Sequence, residues 1–145
     1  MRTYIFYTQL IRNKKVVREI EVPENVSLYR LAAAIVEAHG FDFDHCFGFY
    51  SDVTVGRYHD SKLQYEFFAD LEQEEGVCFE PVTSKSVKKT KLNRVWQKPG
   101  DTMMMLFDYG DGWRFVVKLM GLGLRVPRKQ YPQLIRSQGK APRQY

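Results

Sequence analysis

The stretch Met103 to Leu119, MMMLFDYGDGWRFVVKL, constrains the fold more than any other part of the chain. Two apolar runs flank a polar centre that carries glycine. On the first arm Met103, Met105 and Phe107 alternate with Met104, Leu106 and Asp108. On the second Trp113, Phe115, Val117 and Leu119 alternate with Arg114, Val116 and Lys118. A period of two sends successive side chains to opposite faces of a strand, so each arm reads as a strand. The centre, Asp108-Tyr109-Gly110-Asp111-Gly112, joins glycines that tolerate positive φ to aspartates whose carboxylates accept from nearby backbone N–H groups, which is turn chemistry. The stretch predicts a hairpin in the core of the molecule.

Ahead of it, Tyr4 to Ile11 and Val16 to Val22 are rich in aromatic and β-branched residues and are separated by Arg12-Asn13-Lys14-Lys15, which predicts an opening hairpin closed by Pro23. A helix to about His39 follows: Leu28, Leu31, Ile35 and Ala38 fall three or four apart, Asn25 or Ser27 can cap its start, and Gly40 can end it. Cys46 to Tyr50 reads as a short strand, Asp52 to Asp60 as a loop, and Ser61 to Glu75 as a second helix stopped by Gly76, with a strand as the competing reading. Val77 to Val82 is a further strand candidate. Thr90 can cap a turn or two of helix carrying Leu92, Val95 and Trp96, and Pro99-Gly100-Asp101 turns the chain into the central hairpin. The elements predict an α+β fold with a mixed sheet, a β-β-α-β start and a C-terminal β-hairpin, in a β-grasp-like layout. Residues 1–145 are expected to form one domain, with residues 121–145 a basic tail that wraps it or frays.

Charge divides the chain. Residues 1–81 hold 8 Lys/Arg and 14 Asp/Glu, and residues 82–145 hold 14 Lys/Arg and 3 Asp/Glu, so a net +5 conceals halves of −6 and +11. The basic half suits phosphate, which binds through counterion release without reading sequence; a solvated surface, or docking on the acidic half, accounts for the same charge. The nucleic-acid candidates are Lys85, Lys88, Lys89, Lys91, Arg94, Arg125, Arg128, Lys129 and Arg136. Trp96, Tyr131 and Tyr145 lie among them as possible stacking residues, although Leu92 and Val95 beside Trp96 favour a core role for that ring. No helix-turn-helix, zinc-finger, RRM or KH signature supports base-specific reading. An acidic protein partner is the other expectation for this surface. Neither a signal peptide nor a transmembrane run is evident, which makes the cytoplasm the expected address. No cofactor or metal is expected: Cys46 and Cys78 lack the spacing of a zinc site and read as reduced thiols.

The run Phe107-Asp108-Tyr109-Gly110-Asp111-Gly112-Trp113-Arg114-Phe115 resembles the core motif of the plasmid pRiA4b ORF-3-like domain family, approximately Tyr-Asp-Phe-Gly-Asp-x-Trp-x-His. Val22-Pro23 before the first helix, His45 to Phe49 after it, Leu92, Gly100 and Asp101 before the motif, and Tyr131-Pro132, Gly139 and Ala141-Pro142 after it extend the resemblance over most of the chain. Phe115 stands where the family usually carries His, and Arg143-Gln144-Tyr145 replaces an acidic, glycine-rich ending. The resemblance implies a domain of uncharacterised function, with relatives in plasmids and transposable elements. Any metal or catalytic role of the missing His and late acids would be lost here.

Asp108, Asp111 and His45, with Trp113 as a wall, form the sharpest candidate for a ligand site or for an acid–base or metal-dependent enzyme. Turn hydrogen bonds, a packed Trp and a surface His explain the same residues without chemistry. His39 falls in the last helical turn, where a cation would suit the helix dipole. Gly110 and Gly112 lack the strand-to-helix setting of a phosphate loop. The sequence therefore favours a non-enzymatic binding module, leaving open the small enzyme and the protein-interaction domain.

Overall fold

Alternation along β1 (Arg2–Leu10) sets the architecture. Tyr4, Phe6, Thr8 and Leu10 are buried on one face, while Ile5, Tyr7 and Gln9 are only partly covered on the other. The computed structural model describes residues 1–54, 56–75 and 83–145. After β1 come β2 (Val17–Pro23), α1 (Leu28–Ala38), β3 (Phe47–Tyr50), β4 (Gln64–Glu66), α2 (Phe67–Glu75), α3 (Leu92–Val95), β5 (Thr102–Phe107), β6 (Trp113–Leu124) and β7 (Gln133–Gln138). The fold is α+β, and the described residues form a seven-stranded sheet in the order β4-β3-β5-β6-β1-β2-β7. The central hairpin is present: β5 and β6 pair from Thr102↔Lys118 to Phe107↔Trp113.

All neighbouring strands run antiparallel, which corrects the expected mixed, β-grasp-like sheet. The reason lies at β1, which takes β2 on one edge through a hairpin and β6 on the other, antiparallel in both cases. One isolated parallel bridge, Tyr65 with Lys85, flanks β4. α1 lies on the buried face of β1, where Leu28, Leu31 and Ile35 pack with Phe6, Phe49, Met105 and Phe115. Each such large apolar side chain contributes about 1.5–3 kcal/mol on burial. Trp96 lies fully buried among them, its Nε1 donating to the Val117 carbonyl at 3.2 Å, so it belongs to the core and not to a stacking surface.

Helix ends follow local chemistry. Ser27 Oγ accepts from Arg30 N at 3.2 Å, and Gly40 adopts φ 79° past the C-cap His39. Two neighbouring expectations need correction. His39 is 1% exposed and therefore no dipole-facing cation. Thr90 does not cap α3: Lys91 holds that position, and the Thr90 hydroxyl donates to the Ser86 carbonyl.

The C-terminal residues include strand. Residues 121–124 complete β6, and β7 pairs with β2 from Val17↔Gln138 to Glu21↔Gln133. Nearly every β7 side chain is exposed, so backbone hydrogen bonds to the outer edge of β2 hold the strand without hydrophobic periodicity. Gly123 sits within β6 because a Cβ there would come within 2.6 Å of Thr3 Oγ1 and 2.9 Å of Glu21 Oε2, which are hydrogen-bonded to each other across it. Ser61 to Glu75 divides into β4 and α2 rather than one helix, because Gln64–Glu66 pairs with β3. The Val77–Val82 strand and the Gly76 stop lie outside the described residues. Among the described residues no helix is long and apolar enough to cross a membrane.

Candidate functional site

The hairpin turn uses its aspartate structurally. Asp108 has φ 63°, its Oδ1 accepts from Gly110 N at 3.1 Å and Asp111 N at 3.3 Å, and its carbonyl accepts from Gly112 N at 2.6 Å. Such bonds relieve the cost of a left-handed, buried aspartate. The other oxygen, Oδ2, lies 3.6 Å from His45 Nε2, so Asp108 and His45 do meet. His45 Nδ1 lies 2.6 Å from Asp44 Oδ1, and the Tyr145 hydroxyl donates to Asp44 Oδ2. The Asp44 bond, followed by the charges of Asp108, Asp44 and Asp111, raises the His45 pKa. The Tyr145 and His45 bonds lower that of Asp44.

The other two members of that set diverge. Asp111 is exposed, and its backbone carbonyl accepts from Arg12 Nη2 at 2.8 Å. Trp113 is 4% exposed and packs on Phe41 with ring centroids 4.8 Å apart, beneath the Arg12 guanidinium at 4.1 Å. Its ring is thus part of the core. Among the described residues no group of three His, Cys, Asp or Glu side chains is arranged to hold a metal ion.

The basic stretch is gathered instead. Lys85 is bridged to β4: its N–H donates to the Gln64 carbonyl and its carbonyl accepts from Glu66 N, both at 2.9 Å. The Asp70 carboxylate of α2, 3% exposed, accepts from the Ser86 hydroxyl and from Val87 N at 2.9 Å. The first turn of α1, whose N–H groups have no partner within the helix, donates from Leu28 N to the Thr90 carbonyl at 2.9 Å and from Tyr29 N to the Val87 carbonyl at 3.1 Å. Three elements therefore fasten one polar segment. Lys85, Lys89, Lys91 and Arg94 consequently line one concavity of about 370 Å³ with Tyr65 and Thr90.

The remaining cations separate by partner. Lys88 turns aside to Glu74 at 3.0 Å and lies over the rings of Tyr29 and Phe67. Arg125 and Lys129 lie over Tyr131, 5.6 and 5.7 Å from its centroid. Arg128 is exposed at φ 69°. Arg136, on β7, meets Glu19 at 3.3 Å and Gln138 at 2.6 Å, away from the concavity.

Sequence reasoning missed a polar network on the opposite sheet face. The Tyr50 hydroxyl donates to Glu66 Oε2 and lies 2.5 Å from the Tyr109 hydroxyl. Burial pushes both phenols above the ordinary tyrosine range, Tyr109 further coupled to the charge of Glu66. Only the cross-strand register, Gly48↔Glu66 and Tyr50↔Gln64, brings these residues together, and no local spacing announces it.

A family model described as "Plasmid pRiA4b ORF-3-like protein" matches residues 5–144. Among solved structures, the crystal structure of the protein of unknown function MM3350 from Methanosarcina mazei Go1 is similar, with a TM-score of 0.72, 20% identity, and coverage of 97% of this chain and 71% of that one. At that identity the likeness establishes the fold alone. No curated protein matches the chain.

Proposed function

This chain belongs to the plasmid pRiA4b ORF-3-like protein family, and from that premise we propose that it is a non-enzymatic binding module that takes nucleic acid by its phosphates. One observation carries the reading. Lys85, Lys89, Lys91 and Arg94 converge on a single concavity that no acidic side chain lines among the described residues. Four cations held at separate backbone anchors suit successive phosphates, and Tyr65 and Thr90 add a ring edge and a hydroxyl at the wall. The contacts are charge and shape, so the binding is indifferent to base sequence. The Asp108 carboxylate serves the turn, as the bonds it accepts from Gly110 N and Asp111 N support.

The test is a fluorescence-anisotropy titration against random single- and double-stranded oligonucleotides across a range of salt concentrations. For single strands the logarithm of the association constant should fall with the logarithm of salt at a slope of roughly −3 if four phosphates are neutralised, and Lys89→Gln or Arg94→Gln should each reduce that slope by about 0.7. Arg136→Gln should leave it unchanged, because Glu19 already occupies that guanidinium. Absence of binding at low salt, or a slope untouched by Lys89→Gln and Arg94→Gln, would overturn the proposal.

A further inference from the structure

A second cavity, of about 670 Å³, runs along α1 and is walled on its far side by Arg125, Tyr131 and Pro132. Its size falls within the roughly 300–1,000 Å³ of small-molecule sites. Its floor is apolar and low. Ala33 and Ala34 present only methyl groups where a larger residue would fill the space, and Val22, Pro23 and Val26 continue the surface. The wall is fixed by the Tyr131 hydroxyl, which accepts from Val126 N at 3.0 Å, and by Arg125 N, which donates to the Met1 carbonyl at 2.9 Å.

Charge gives this cleft a direction. Arg30, Lys88, Lys91 and Arg125 lie around it, and among the described residues Glu37 is the one acid that lines it. Among the described residues Arg30, Lys91 and Arg125 take part in no ion pair with an acid, whereas Lys88 is held by Glu74. Arg30 and Glu37 are two helical turns apart, about 10 Å along the axis. An occupant thus meets cations at one end, methyl groups in the middle and a carboxylate at the other end.

We propose that the cleft between α1 and the Arg125–Pro132 segment binds a small amphipathic anion, its apolar body on Ala33 and Ala34 and its single anionic group at Arg30, Lys91 and Arg125. The complementarity is of charge and of polarity along the helix. A ligand bearing anions at both ends is disfavoured, because its second charge would meet Glu37. The site is separate from phosphate-backbone binding except at Lys91, which lines both cavities.

The experiment uses the full chain with methyl-labelled alanine and follows the Ala33 and Ala34 methyl resonances during titration with octanoate, with octanedioate, and with adenosine monophosphate. Octanoate should shift both methyls with millimolar affinity, as expected of so small a ligand. Lys91→Glu should weaken that affinity about tenfold or more. Ala33→Phe should abolish the Ala34 shift while leaving oligonucleotide binding intact, which separates failure of this site from failure of the nucleic-acid reading. Octanedioate should bind several-fold more weakly than octanoate. Shifts with adenosine monophosphate alone would support the site and identify an organic phosphate as its source of anion. No methyl shift with any of the three, octanedioate binding as well as octanoate, or shifts that survive both Lys91→Glu and Ala33→Phe would overturn it. Preservation of the amide spectrum in each variant establishes that it is folded.

Discussion

Acidification should destabilise this protein through the ring of His39, and the hydrogen bonds around it fix both the sign and the size. The Thr8 hydroxyl donates to the Arg18 carbonyl at 2.8 Å, so its only proton is spent. The 3.1 Å contact between Thr8 Oγ1 and His39 Nε2 therefore places the imidazole proton on Nε2, leaving Nδ1 a buried acceptor without a partner among the described residues. A second proton would create an unpaired buried cation there. Burial first, and the Arg18 guanidinium second, hold the His39 pKa down to about 3 from an ordinary 6.5. Between those values the unfolded chain binds the proton and the folded one does not, so stability is fully present above about pH 6.5 and declines as the pH falls toward 3. At about 1.4 kcal/mol per pH unit, a change from about pH 7 to about pH 5 removes about 2 kcal/mol through this ring. Urea unfolding, followed by the fluorescence of the buried Trp96 and Trp113, measures the loss. His39→Gln retains a donor for Thr8 but does not titrate, so its stability should fall about 2 kcal/mol less over the same pH step. The carboxylates with lowered pKa values, Asp44, Asp52 and Asp101, are common to both proteins and cancel in the comparison. Identical pH dependence in wild type and variant would refute the buried neutral imidazole.

Two substitutions probe the frame around the sites. Gly48→Ala would place a Cβ 2.7 Å from the Tyr50 hydroxyl and 2.8 Å from that of Tyr109, costing about 1–3 kcal/mol through the disrupted network. A thermal melt checks it, and adding Tyr109→Phe should recover part of the loss by removing one of the two oxygens; an unchanged melt for Gly48→Ala would contradict the packing. Asp70→Ala leaves the buried Val87 N–H without its acceptor, a cost of about 1–3 kcal/mol by denaturant titration. It should also weaken oligonucleotide binding, because it unfastens the segment that carries Lys85, Lys89 and Lys91. A variant that is destabilised yet binds as tightly as wild type would separate that anchor from the basic concavity.

The elements legible in the sequence are those whose side chains do the stabilising. β1, α1 and β6 bury one face each, so their periodicity of two or of 3.6 is written in the residue types, whereas β2 and β5 are buried on nearly every residue and are read from their β-branched and apolar content. β7 is held by main-chain bonds with its side chains exposed, and β4 is three residues of cross-strand pairing, so neither leaves a hydrophobic pattern. The antiparallel sheet escaped for a related reason: strand direction is decided by which edges of β1 are taken, and that is a property of returning chain paths, not of any local run.

The same distinction governs the candidate site. Lys91 and Arg136 are equivalent as entries in a charge count, yet their surroundings make them opposites. β7 lies beside β2 in a register that sets Glu19 opposite Arg136, so that guanidinium completes an ion pair across two strands. Lys91 follows the segment that Leu28 N and Tyr29 N fasten through the carbonyls of Thr90 and Val87, and it lines two cavities. The first turn of α1 contains no acid to neutralise it. An anion would find its charge met there and not at β7. Strand pairing therefore sets Arg136 against Glu19 within the sheet, while Lys89 and Lys91 line open concavities, and the variants Arg136→Gln and Lys89→Gln should differ accordingly in their effect on oligonucleotide binding.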